Sequence, residues 1–168
     1  MSAAGLAPLL ALLALLALCA AVIRPTRPSL SFTDTELCLG CICEATSNCN
    51  LTVGCVRGLC GPLLIARDYW LQAGSPTVGA ARRRGGSDYE KCVQDPTCAA
   101  TTVKNYIGRY AQDCNQDGRF DCDDVARIHY LGGTQCYLRI EHTGYYRVFK
   151  QCMDNVRQFI TYDPSFTL

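Results

Sequence analysis

The first thing this chain lacks is charge of one sign. Sixteen Lys and Arg stand against fifteen Asp and Glu over 168 residues, a net charge of +1. No global field draws it to nucleic acid or to an acidic partner. It also lacks zinc knuckles. Cys38-x-x-Cys41 has no second CxxC, and His129 and His142 stand too far apart to form a Cys/His set with it. There is no internal repeat and no low-complexity tract beyond the first residues. Those first residues carry no Lys or Arg before the apolar run Leu6–Ile23, so the basic start of a secretory signal is missing.

What is abundant is cysteine, thirteen in all. Without metal knuckles, that number in a short chain reads as a disulfide framework formed in an oxidising space. The Leu/Ala run ends in Cys19-Ala20-Ala21, a small-residue pattern that fits cleavage after Ala21. The run is also long enough for an uncleaved anchor, but its Ala content favours removal. Loss of Cys19 leaves twelve cysteines, the even number that full pairing requires. The expected product is secreted and extracellular, with no membrane span after cleavage. Its expected division is a signal peptide at 1–21, a leader at 22–34, one domain at 35–156 and a tail at 157–168.

Along that domain, Thr35 reads as a helix cap before Leu37, Cys38, Cys41 and Ile42 at helical spacing. Asn48–Leu59 is turn-rich with β character, and Leu63–Leu71 reads as a buried helix. Gly74–Gly86 reads as loop. Its Arg82-Arg83-Arg84 is a solvated surface, ahead of a contact for anionic cell wall or membrane or a processing site. Asp95 caps a helix that opens on Pro96 and buries Ala99, Val103, Tyr106, Ile107 and Tyr110. Asp124–Leu131 forms a short helix stopped by Gly132-Gly133. Tyr145, Val148, Phe149, Cys152, Val156 and Phe159 mark a last amphipathic helix, fraying from Arg157. The fold class is α+β, predominantly helical, in one disulfide-rich domain.

Two motifs carry chemistry on their own residues. Asn50-Leu51-Thr52 is a glycosylation sequon. From Asp113 to Asp124, side-chain oxygens of Asp113, Asn115, Asp117, Asp121 and Asp124 fall at positions 1, 3, 5, 9 and 12 of a calcium-loop pattern. Gly118 is at position 6, and the Arg119 carbonyl is available at 7. The other reading of this stretch is an acidic turn within a disulfide hairpin. A structural calcium is therefore possible, and no cofactor is required.

Taken together, several pieces resemble the invertebrate-type (i-type) lysozymes, the destabilase family. They are Cys38-Leu39-Gly40-Cys41-Ile42-Cys43, Gly54-Cys55, Cys60-Gly61, Tyr69-Trp70, Cys98-Ala99-Ala100, Arg109-Tyr110, Ala126-Arg127-Ile128-His129 and Gly132-Gly133…Cys136. The match runs in family order from about Thr35 to Val156. It implies a lysozyme-like fold and a cleft for peptidoglycan. It also implies the bridges Cys38–Cys122, Cys41–Cys152, Cys43–Cys49, Cys55–Cys60, Cys92–Cys98 and Cys114–Cys136. A further family bridge has both of its positions replaced, by Ala73 and Thr102.

The resemblance fails at the chemistry. Glycoside hydrolysis uses two carboxyls astride the scissile bond. Thr46 stands where the family has its acidic Glu, and a hydroxyl cannot donate a proton as a tuned carboxylic acid does. The loop for the second carboxylate is only Val56-Arg57-Gly58-Leu59, without an acid. Glu44 is two residues from Thr46, about 200° round a helix, and should face away. The family's Ser/Lys isopeptidase pair falls at Leu59 and Ala66. The cleft is expected at Thr46, Tyr69, Trp70 and His129. Tyr69-Trp70 is read first as a buried pair and second as a sugar-stacking surface, and His129 equally as cleft wall or packed histidine. The leading function is a lysozyme-like protein that binds cell-wall glycan with weak or no muramidase activity. The alternatives are an active lysozyme and a structural extracellular protein.

Overall fold

The computed structural model describes residues 32–79 and 87–162. The signal segment, most of the leader, Arg82–Arg84 and the last six residues lie outside the described residues. The elements are α1 (Phe32–Ser47), β1 (Cys55–Val56), β2 (Leu59–Cys60), β3 (Ile65–Ala66) and α2 (Arg67–Gln72). They continue with α3 (Ser87–Gln94), α4 (Pro96–Tyr110), α5 (Cys122–Leu131) and α6 (Gly144–Tyr162). This is the expected α+β class, helical with a small sheet. No described helix is long and apolar enough to cross a membrane.

α1 buries Cys38, Leu39, Cys41 and Ile42, one stripe at helical spacing, and lays it along α6 and against α5. It begins at Phe32 rather than at Thr35. Its second turn carries an ion pair from Glu36 to Lys104 on α4. α4 starts as its sequence dictates: the Asp95 side chain accepts the Cys98 amide at 2.7 Å, with Pro96 next. Its inner face closes over α2, α3 and α5. Ile42, Val93, Val103, Val125, Ile128, Ile140 and Phe149 form the fully buried centre.

Leu63–Leu71 is not one helix. Ile65–Ala66 pairs with Leu59–Cys60 as the third strand of a β1-β2-β3 antiparallel sheet, and only then does α2 begin. The apolar run satisfied both patterns, and strand pairing decided between them. α5 starts two residues before Asp124, and α6 runs on to Tyr162, past the expected fraying point at Arg157.

Six disulfides join the cysteines in the pairs that the resemblance implies. Two matter most. Cys38–Cys122 and Cys41–Cys152 close spans of 84 and 111 residues, both from α1. By chain entropy each removes about 4–5 kcal/mol of unfolded-state freedom taken singly, against about 2 kcal/mol for a six-residue span. At the two positions where the resemblance implies a further bridge, Ala73 and Thr102 are both buried, and the Thr102 hydroxyl donates to the Cys98 carbonyl at 2.8 Å.

Candidate functional site

A cleft of about 370 Å³ opens where the end of α1, the sheet, α2, the end of α5 and the start of α6 meet. The sheet contributes Leu59 and Ala66 to its wall, the turn before β3 contributes Leu64, and α1 contributes Ala45 and Thr46. Three positions that the resemblance marks for chemistry therefore come together in one cavity: Thr46, Leu59 and Ala66. Their side chains are a hydroxyl, an isobutyl and a methyl. Among the described residues that line the cleft there is no Asp or Glu. Glu44 is exposed and is not part of the lining.

The Thr46 hydroxyl is held by backbone. Its oxygen lies 2.9 Å from the Ile42 carbonyl, 3.1 Å from that of Cys43 and 2.9 Å from that of Pro62. It has one proton to offer these three acceptors. Ser47 donates to the same Pro62 carbonyl at 2.6 Å. Both hydroxyls thus staple the last turn of α1 to the chain entering β3. Among the described residues the partners of the Thr46 hydroxyl are backbone carbonyls, none of them a base that could make it a nucleophile.

The loop that the resemblance marks for a second acid is a two-residue hairpin turn. Val56 pairs with Leu59, leaving Arg57 and Gly58 to turn with φ of 52° and 81°. Positive φ at both positions is the turn that matches strand twist, and Gly58 meets it without cost. The tight turn leaves no loop long enough to bring a carboxyl over the cleft.

His129 lies in the wall with both ring nitrogens engaged. Nε2 is 3.0 Å from the Leu63 carbonyl, which can only accept, so Nε2 carries the proton. Nδ1 then accepts from the Tyr69 hydroxyl at 3.3 Å. Burial holds the ring neutral and lowers its pKa to about 4, only partly offset by the bond to Leu63. Tyr69 in turn stacks on Tyr106, ring centres 3.6 Å apart, and burial raises its pKa.

Of the residues expected in the cleft, Thr46, Tyr69 and His129 meet there and Trp70 does not. Trp70 packs on Tyr89 at 5.8 Å and donates Nε1–H to the Pro76 carbonyl at 2.8 Å. Tyr69 shows only 9% of its surface. Both rings are buried, but on different sides: Trp70 packs toward Tyr89 on α3, and Tyr69 toward Tyr106 on α4 and His129 on α5. The exposed ring of the cleft is Tyr130, at 47%. The sequence signal for it was its place after His129 at the end of α5, where the chain turns at Gly132.

The calcium pattern does not gather into a site. Among the described residues no three His, Cys, Asp or Glu side chains are arranged to hold a metal. The oxygens turn onto backbone instead. Asp113 accepts the amides of Asp117 and Gly118, Asn115 accepts that of Asp117, and Asp117 accepts that of Arg119. Asp121 caps α5 by accepting the Asp123 amide at 2.8 Å. Asp124, fully buried, accepts from Cys114 at 2.7 Å, Asn115 at 3.3 Å and Asp121 at 2.8 Å. Burial raises the Asp124 pKa, with these three amides pulling the other way. The position-12 carboxylate thus closes a helix cap and ties down the loop.

A second cavity, also about 370 Å³, adjoins this loop. At its centre is the buried Arg127, paired with Asp123 at 2.7 Å and Glu141 at 2.5 Å and set over the Tyr146 ring at 5.6 Å. Tyr146 donates to Asp123 at 2.5 Å. Both carboxylates hold the guanidinium in place, and the Glu141 pKa falls in response. This network joins α5 to the chain before α6. The sequon stands apart from both cavities: Asn50 is exposed, and its Oδ1 accepts from the Thr52 hydroxyl at 2.7 Å.

Residues 35–152 match the family model described as Destabilase. The chain is 33% identical over 120 residues to invertebrate-type lysozyme 3 of Caenorhabditis elegans, covering 68% of this chain and 84% of that one. It is 33% identical over 106 residues to a lysozyme of Meretrix lusoria, covering 61% and 77%. Among solved structures it resembles a chain in the crystal structure of Aeromonas hydrophila PliI in complex with Meretrix lusoria lysozyme. That likeness has a TM-score of 0.53 at 28% identity and covers 73% of this chain and 93% of the other.

Proposed function

The chain belongs to the destabilase family of invertebrate-type lysozymes, and from that membership we propose that it is a secreted binder of bacterial cell-wall glycan with weak or no muramidase activity. What carries the reading is the cleft wall. Thr46, whose hydroxyl is committed to backbone carbonyls, replaces an acid, and the hairpin at Arg57-Gly58 leaves no loop for another. Cleavage of a glycosidic bond needs a proton delivered to the leaving oxygen and a carboxylate or base opposite. Among the described lining residues the one imidazole is His129, and burial holds that ring neutral with both nitrogens occupied. Six disulfides support an oxidising, extracellular destination. The same route exposes Asn50 to glycosylation.

The test is clearing of a peptidoglycan suspension by the purified protein, run beside a pull-down on insoluble peptidoglycan. Retention on the pellet without clearing is the expected result. Robust clearing would restore an active lysozyme. No retention and no clearing would leave a structural extracellular role.

A further inference from the structure

We propose that Tyr130 is the sugar-stacking platform of the cleft, taking the apolar face of one pyranose ring of a β-1,4-linked N-acetylhexosamine chain. The inference rests on the glycan-binding reading and names the contact that would produce it. Three tyrosines line the cavity, and two are spent on the protein. Tyr69 stacks on Tyr106 and donates to His129. Tyr145 is 9% exposed and donates to the Ala126 carbonyl at 3.1 Å. Tyr130 alone of the three keeps nearly half its surface open.

Its ring is also held. It lies nearly parallel to Tyr145, centres 4.6 Å apart and planes 14° apart, and Tyr145 continues the stack to Phe149 at 6.5 Å. Tyr145 covers one face, so the remaining exposure belongs to the other face and the edge. An aromatic face carries negative charge density, which complements the weakly positive C–H groups on one side of a pyranose. A ring fixed before binding loses little freedom on contact, which is the condition for a useful stacking surface. Leu59 and Leu131 line the same cleft and offer apolar wall, while no charged side chain there would favour an ionic ligand.

The experiment measures binding of the full secreted chain to chitotriose and to insoluble peptidoglycan, as wild type, Y130A, Y130F and Y130W. Y130A should weaken chitotriose binding about tenfold, and Y130F and Y130W should stay within about twofold of wild type. Titration of wild type by NMR should shift the Tyr130 ring resonances, a readout that needs no variant to fold. Y130A binding as tightly as wild type would overturn this inference and leave the glycan-binding reading standing. So would an equal loss in Y130F, which would assign the contact to the hydroxyl. Failure of the wild type itself to bind either probe would overturn both.

Discussion

Lowering the pH should unload His129, and the cost can be worked out. The folded ring has a pKa of about 4 against 6.5 when exposed. A base whose folded pKa lies below its unfolded value stabilises the fold fully above 6.5. That stability drains away as pH falls from about 6.5 to about 4, because only the unfolded chain takes up the proton, and below about 4 no more is lost. At pH 4 the loss reaches about 3 kcal/mol, an upper figure because the ring keeps an edge on the cleft. In a domain of this size that is on the order of 10 °C in Tm. The assay is thermal unfolding from pH 7.5 to 4 for wild type and H129Q. Gln keeps an N–H for the Leu63 carbonyl and has no proton to gain. Carboxylates titrate in both proteins, so the difference between the curves belongs to His129. Wild type should fall more steeply than H129Q across this window, and an NMR titration should place the imidazole midpoint near 4. Parallel curves, or a midpoint near 6.5, would refute the buried neutral ring.

Three further outcomes follow from the same geometry. T46A should cost only about 1 kcal/mol in chemical denaturation, since the Pro62 carbonyl keeps the Ser47 donor; T46E should not gain peptidoglycan clearing, because one carboxyl without an opposite partner cannot complete the reaction. D124A strands three amides around a buried site, so a loss of about 3 kcal/mol or failure to fold is expected, with D124N intermediate. Calcium against EGTA should move Tm by less than about one degree, because the Asp113–Asp124 oxygens already serve backbone amides; a rise of several degrees would reinstate the loop as a cation site.

The readable parts of this protein were those set by local chemistry or by covalent need. Asp95-Pro96 announced α4, because the cap and its fixed φ act within four residues. The cysteine spacing carried the family likeness and with it the pairing. Other features were settled by partners distant in sequence. Leu63–Leu71 split into strand and helix only because Leu59–Cys60 offers it an edge. Tyr69, Trp70 and Tyr130 are alike as letters, and which ring stays open depends on how α2 and α5 dock. The oxygen spacing at Asp113–Asp124 fits a cation loop and a capped turn equally well, and Asp124 chose the turn by reaching back to Cys114 and Asn115.

The two long bridges from α1 bear on how this protein would look after damage. Every peptide bond between Cys60 and Cys92 lies inside both the Cys38–Cys122 and the Cys41–Cys152 spans, and no other bridge crosses that interval. A protease cutting at Arg82–Arg84 would therefore release nothing. The halves would stay covalently joined at two points, migrate as one band without reductant and separate into two with it. A nicked protein would therefore run at the position of the intact one on a non-reducing gel, and only reduction, or the mass of the one water added by hydrolysis, would report the cut.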